Sequence, residues 1–201
     1  MKLVLAGFER TFESPVEVEA VIAQINEWLD DTYYYEGLRV DGVLVPEQPE
    51  DYLASRVDSV ERVDVLVKEA AVFIPELLAS GEEYVRHALP LVDPLIVSFE
   101  DDAVSGEQWS DLSDLFGGVQ WLLSMTDVVE ASIVNVPDWQ DVVEQKQAVE
   151  TALQQFEEAL EQQATPVLAQ FLREAIVPFF GMVEEVIGRA FEETLQRPTV
   201  Q

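Results

Sequence analysis

Carboxylates are the most abundant reactive groups in this sequence, and histidine is among the scarcest. The 201 residues include 40 Asp+Glu and 11 Lys+Arg, with one His and no Cys. The lack of Cys removes thiolate nucleophiles, disulfides and thiolate zinc sites. A Ser-His-Asp triad would have to use His87, the lone imidazole. Glu83 lies one helical turn before it, and an i, i+4 Glu–His pair is ordinarily a surface contact. No catalytic residue is assigned on this basis.

The acids fall in a pattern. Glu100, Asp101 and Asp102 are consecutive, and Glu107, Asp111 and Asp114 follow at i, i+4 and i+7, on one face of a helix. Between Arg86 and Lys146 there are twelve acids and no Lys or Arg. Ca²⁺ and Mg²⁺ prefer oxygen ligands, but the sequence contains no Asp-x-Asp-x-Asp-Gly loop. Di-iron bundles need Glu-x-x-His pairs, and Tyr84 stands where that Glu would be. The nine glycines form neither a Walker A loop nor a dinucleotide fingerprint. No metal and no cofactor are therefore expected. The six acids read as a surface for a protein partner of basic character. Two carboxylates also suffice for glycoside hydrolysis, so a carboxylate-based hydrolase or a divalent-cation-binding protein is the alternative.

Charge and hydrophobicity narrow the partners. The formal charge is −29, yet 48% of residues are hydrophobic. That apolar content excludes a disordered acidic tail. The missing basic footprint excludes nucleic acid and an anionic membrane surface as expected partners. Residues 1–70 carry 6 basic and 16 acidic residues, and residues 71–201 carry 5 and 24, so the acidity is spread along the chain. The apolar start, residues 1–7, is too short for a signal h-region and is followed by Glu9 and Arg10. The uncharged run 115–126 is shorter than the roughly 20 residues of a membrane helix. A cytoplasmic protein is expected.

The elements that must position these groups change character near residue 69. Before it, residues 2–6 suit a strand. Ser14-Pro15-Val16-Glu17 reads as a capping box opening a helix with Val18, Val21, Ile22, Ile25, Trp28 and Leu29 on one face. Tyr33-Tyr34-Tyr35 and Leu38-Arg39-Val40 read as strand, broken by Glu36-Gly37. Asp41-Gly42 fits a type I′ hairpin turn. Residues 50–60 suit a short helix, and the alternation of Val63, Val65 and Val67 marks another strand.

After residue 70 the period is helical. One helix is expected to stop or kink at Pro90 and Pro94, with residues 94–104 as a second candidate. A capping box at Ser105 and Gln108 is expected to open the next, and Gly117-Gly118 inside it implies close helix approach or a break. Asp138 is read as an N-cap or first-turn acid. Thr165-Pro166 starts a helix that Pro178 is expected to kink.

The expected fold is α+β: a small β-α-β-β-(α)-β domain over residues 1–69, then a mainly α-helical bundle over 70–201. Tyr33, Tyr34 and Tyr35 alternate in a strand, so at least one ring is expected at a surface or interface. The apolar helix carrying Phe179 and Phe180 needs a bundle interior or a second copy, which makes a homodimer an expectation too. The function expected is that of a non-catalytic acidic interaction protein, an adaptor- or chaperone-like helical module that binds a protein partner.

Overall fold

The computed structural model describes residues 1–45, 49–56, 59–101 and 104–198. Asp102 of the acidic cluster and residues 57–58 of the expected short helix lie outside the described residues. The chain divides into two compact units, Met1–Phe73 and Ile74–Gln201, and the fold is α+β with a mainly helical second part, as its patterning implies.

The first unit contains β1 (Lys2–Leu5), β2 (Phe8–Thr11), α1 (Val18–Trp28), β3 (Tyr33–Val40), β4 (Val43–Val45), α2 (Pro49–Ala54) and β5 (Arg62–Glu69). The strands form one sheet in the order β2-β1-β5-β3-β4. β1 and β5 are parallel and the other pairs antiparallel. Period-2 alternation puts Leu3, Leu5, Val63, Val65, Leu38 and Val40 into one core with Val21, Ile25 and Leu53. Register pairs Leu3 with Val63 and Leu5 with Val65.

Three local expectations change here. β2 was not anticipated. It exists because Ala6 (φ 44°) and Gly7 (φ 96°) both adopt positive φ, closing a tight β1–β2 hairpin. The capping box at Ser14 does not form. Val16 is drawn into the core, so α1 starts at Val18 with no side-chain cap bond from Glu17. Glu36-Gly37 does not break β3. Glu36 is a bulge, since Tyr35 pairs with Val67 and Gly37 with Leu66. The extra residue shifts the alternation, so Tyr33 and Tyr35 share the face of Leu38 and Val40, while Tyr34 points the other way and stacks on Phe73 at 4.2 Å.

The second unit holds α3 (Ala70–Glu100) from Ile74 onward, α4 (Gly106–Glu130), α5 (Trp139–Glu161), α6 (Thr165–Phe171) and α7 (Val177–Glu193), with a π turn at Leu172–Ile176 between the last two. α3 is one helix through Pro75, Pro90 and Pro94; of the stop or kink expected at Pro90 and Pro94, the stop does not occur. A proline forfeits one backbone hydrogen bond. Pro90 and Pro94 sit at exposed positions, and the buried flank of Val85, Ala88, Val92, Leu95, Ile96 and Phe99 carries the helix past them. The capping box of α4 forms as expected: Ser105 N donates to Gln108 Oε1 at 2.8 Å, and Glu107 N donates to Ser105 Oγ at 3.2 Å. Asp138 is the N-cap residue of α5, as expected, but it is left-handed (φ 57°) and its side chain makes no cap hydrogen bond; its carboxylate pairs with Arg189 at 3.0 Å.

The helix from Thr165 to Glu193 runs on through Pro178, with the π turn directly before the proline and Val177 N donating to Leu172 O. By length and composition this helix could cross a membrane, with a mean hydropathy of 1.3, and half of that apolar window is buried in the fold. Phe179, Phe180, Val183, Val186, Ile187 and Ala190 are all 0% exposed. Phe156 of α5 lies against Phe116 and Phe171, at 4.6 and 4.5 Å between ring centroids. Phe179 and Phe180 are therefore core residues with no surface to offer an interface, and the apolar face of α7 is covered without a second copy.

Lys146, which ends the cation-free stretch, is buried on α5. Its Nζ pairs with Asp127 on α4 and with Glu150 at 3.2 Å. Burial pulls its pKa down, but these two carboxylates outweigh that and hold it above the ordinary lysine value. Because the stem packs while the exposed acids are well solvated, Lys146→Ala is expected to lower unfolding free energy by about 1–2 kcal/mol and Lys146→Met by less than about 1. Urea denaturation of both variants checks this; equal losses would mean that the charge, not the stem, matters.

A candidate docking groove between two helices

α3 and α4 meet closely at two levels. At one, Gly118 lies against Tyr84, so near that an added Cβ would stand 1.8 Å from the Tyr84 hydroxyl. At the other, Phe99 and Trp109 pack edge to face at 5.0 Å. Between these levels lies a groove of about 450 Å³. Its apolar wall is Tyr84, Ala88, Leu91, Pro94 and Leu95 of α3 with Leu115 of α4. Leu91 is 64% exposed, a large apolar side chain open to solvent within a concave surface. Its polar groups are His87, Ser98, Gln108, Asp111 and Asp114, and among the described residues no Lys or Arg lines it.

The wall is fixed by its neighbours. Tyr84 Oη donates to the Leu115 carbonyl at 3.3 Å, and its ring meets Trp121 and Phe180 edge-on at 6.1 and 6.0 Å. Burial pushes the Tyr84 hydroxyl above its ordinary pKa, so it stays a neutral donor.

A serine, the histidine and two aspartates share this groove, but not as a triad. His87 Nδ1 donates to the Glu83 carbonyl at 2.8 Å, where a triad would place a carboxylate. The expected Glu83–His87 contact is thus to the backbone. Ser98 Oγ donates to the Pro94 carbonyl at 2.9 Å, a helix self-bond. Both hydrogen bonds hold side chains against their own helix. Among the described residues no group of three His, Asp or Glu side chains comes together as a metal-ligand set.

The six acids singled out in the sequence separate. Glu100 is engaged by Arg173 of the π turn, whose guanidinium hydrogen-bonds it and holds its carboxyl below the ordinary value. Asp101 is exposed at the end of α3, and Asp102 is outside the described residues. Glu107 sits in the first turn of α4, where a negative charge complements the helix dipole. Of the five described acids, only Asp111 and Asp114 line the groove. Of the tyrosines, Tyr34 is stacked inside its unit. Tyr35 is 44% exposed and lines a separate cavity of about 260 Å³ between α1, α2 and β3.

The sparse cations turn inward on the chain. Lys2, Arg62, Lys68, Arg86, Lys146, Arg173, Arg189 and Arg197 each form an ion pair with an acid of this protein. Sequence reasoning missed Tyr84, Leu91 and Leu95 as site residues. The available signal was the width of α3's apolar face, which carries one stripe through Val85, Val92 and Phe99 and a second through Tyr84, Ala88, Leu91 and Leu95.

Residues 76–185 match a sequence family described as a domain of unknown function (DUF8042). No curated protein and no solved structure matches the chain.

Proposed function

Since that match spans more than half of its residues, the chain belongs to the DUF8042 family, and from this premise we propose that it is a non-catalytic interaction module holding a basic protein partner in the α3–α4 groove. The groove residues, from Tyr84 to Leu115, all fall inside the matched segment. The single observation that carries the reading is the composition of the groove: an apolar wall bordered by Asp111 and Asp114 with no cation among its described residues. An apolar patch beside fixed negative charge favours a surface that is apolar and cationic, because charge complementarity selects the partner while burial supplies affinity. A second copy suits this face poorly, since each copy would bring acids against acids on a chain of net charge −29.

The test is site-specific photo-crosslinking in the source cells from position 91, with exposed Thr151 on α5 as the control position. The expected result is a protein crosslinked from position 91 and not from 151, through a peptide rich in Lys or Arg. Crosslinked peptides of acidic or neutral composition, or equal capture from both positions, would overturn the reading.

A further inference from the structure

The wall of the groove has a period. On α3, Tyr84, Ala88, Leu91, Leu95 and Ser98 follow one another at spacings of 4, 3, 4 and 3. This is the spacing of a seam between packed helices; here Leu91 opens to solvent, while Ala88 and Leu95 show the groove only a small exposed edge. On α4, Gln108, Asp111, Asp114 and Leu115 lie on the facing side, at spacings of 3, 3 and 1. At 1.5 Å per residue, the α3 wall is about 21 Å long and the α4 wall about 10 Å. A groove with two helical walls and this length accepts a third rod at helix-packing distance more readily than a compact small molecule.

We infer that the occupant is one amphipathic helix of the partner, its apolar stripe seated on Ala88, Leu91 and Leu95. Its Lys or Arg pair, one turn apart, faces Asp111 and Asp114. This occupant rests on the partner-binding reading above and adds the shape of what is bound. Asp111 and Asp114 are themselves i, i+3 on α4, so their separation along the axis is about 4.5 Å, and two cations at i, i+3 or i, i+4 on a neighbouring helix repeat it. An extended strand would find no free sheet edge between two helices, whose backbone groups are already paired within themselves.

The test uses the full chain and three fluorescein-labelled peptides of about 16 residues, long enough to span the α3 wall. The first carries Leu at helical a and d spacing with Lys between. The second has the same composition in an order that breaks the stripe, and the third has Glu in place of Lys. Fluorescence anisotropy is expected to show binding of the first, at least ten-fold weaker binding of the second and no binding of the third. Leu91→Asn, at an exposed position that leaves the core intact, is expected to weaken the first peptide about ten-fold. Asp111→Asn with Asp114→Asn is expected to weaken it about three- to ten-fold and to flatten its salt dependence. Glu157→Gln with Glu161→Gln removes the same charge from exposed α5 positions and is expected to change nothing. If the scrambled peptide binds as well as the first, the helical occupant is overturned and the basic partner stands. If the Glu peptide binds as well, both fall. If the α5 pair weakens binding as much as the groove pair, the attraction is diffuse charge and the site is wrong. Failure of the first peptide to bind at all overturns the helical occupant, as does self-association of the free chain that Leu91→Asn disperses, which would make the occupant a second copy.

Discussion

Gly118→Ala is expected to destabilise the second unit by about 2 kcal/mol, although alanine is the better helix former. In an exposed helix interior the same change gains about 1 kcal/mol. At Gly118 the new Cβ would stand 1.8 Å from Tyr84 Oη and 2.0 Å from Cζ, so the aromatic ring must leave. The way out is toward the groove it already lines, and leaving breaks the hydrogen bond to the Leu115 carbonyl and the edge contacts with Phe180 and Trp121. A hydrogen bond, an aromatic pair and part of a ring's burial together are worth about 3 kcal/mol, which exceeds the propensity gain. The sign is expected to invert in a Tyr84→Ala background, where the space is free and Gly118→Ala should stabilise by up to about 1 kcal/mol. Urea denaturation of the four members of this cycle measures the coupling, expected near 3 kcal/mol. Additive effects would show that Gly118 is not there to admit Tyr84. Gly81 is a milder case, because the atom its Cβ would meet, at 2.6 Å, is the sulfur of the flexible Met125 side chain.

This pair also marks how far the sequence could be read. Gly117-Gly118 inside an apolar helical pattern announces either a break or a close approach, and the pattern alone does not choose. α4 runs unbroken, and Gly118 is the glycine that is crowded while Gly117 has nothing within 4 Å. The elements that were legible are those fixed by local chemistry. Asp41-Gly42 adopts positive φ at both positions, the capping box at Ser105 forms, and the Val63, Val65 alternation becomes the middle of the sheet. The elements that were not legible depend on tertiary packing. Proline at positions 90 and 94 reads as a helix stop or kink, yet buried residues hold α3 together as one helix of 31 residues. Ser14-Pro15 reads as a helix start, yet Val16 is needed in the core. Ala6-Gly7 carries a weaker turn signal than Asn-Gly or Asp-Gly, so β2 was passed over.

The candidate site follows the same division. The acids on α4 were visible from their spacing, and Asp111 and Asp114 do border the groove. Glu100 has the same side-chain type and the same neighbourhood in sequence, but an arginine 73 residues away takes it. Which acids stay free is decided by the fold, not by local charge density. On α3, Ala88 and Leu95 are buried, while Leu91 is open. Periodicity names the face of a helix; it does not say whether the neighbour that should cover that face belongs to the same chain.

Arg197→Met is expected to cost about 2–3 kcal/mol of stability, although the arginine lies beyond the last helix and is half exposed. Its guanidinium donates twice to Glu82, from Nη1 to Oε2 and from Nη2 to Oε1 at 3.0 Å, and lies over the Phe191 ring at 4.6 Å from the centroid. Glu82 is the buried partner, with its side chain 7% exposed, and Arg86 reaches it one turn away at 3.1 Å. Methionine keeps an apolar stem near Phe191 and removes the charge, leaving a buried carboxylate with Arg86 alone. The cost of unpairing a buried ion exceeds the worth of the pair itself, so Glu82→Leu is expected to lose less than Arg197→Met. The double variant should then be no worse than Glu82→Leu. The pH dependence follows from the same contact. The Arg197 hydrogen bonds hold the Glu82 carboxyl below its ordinary value, against burial, which pushes it up. A carboxylate depressed in the folded state contributes stability that is complete above its unfolded pKa, about 4.3, and that is lost as pH falls through the lower folded value. The gap between wild type and Arg197→Met should therefore be full at pH 7 and close as the pH drops below about 4. Urea midpoints across that range measure it. A gap that stays constant down to pH 3 would mean that Arg197 acts through its stem on Phe191, and the ion pair would lose its assigned role.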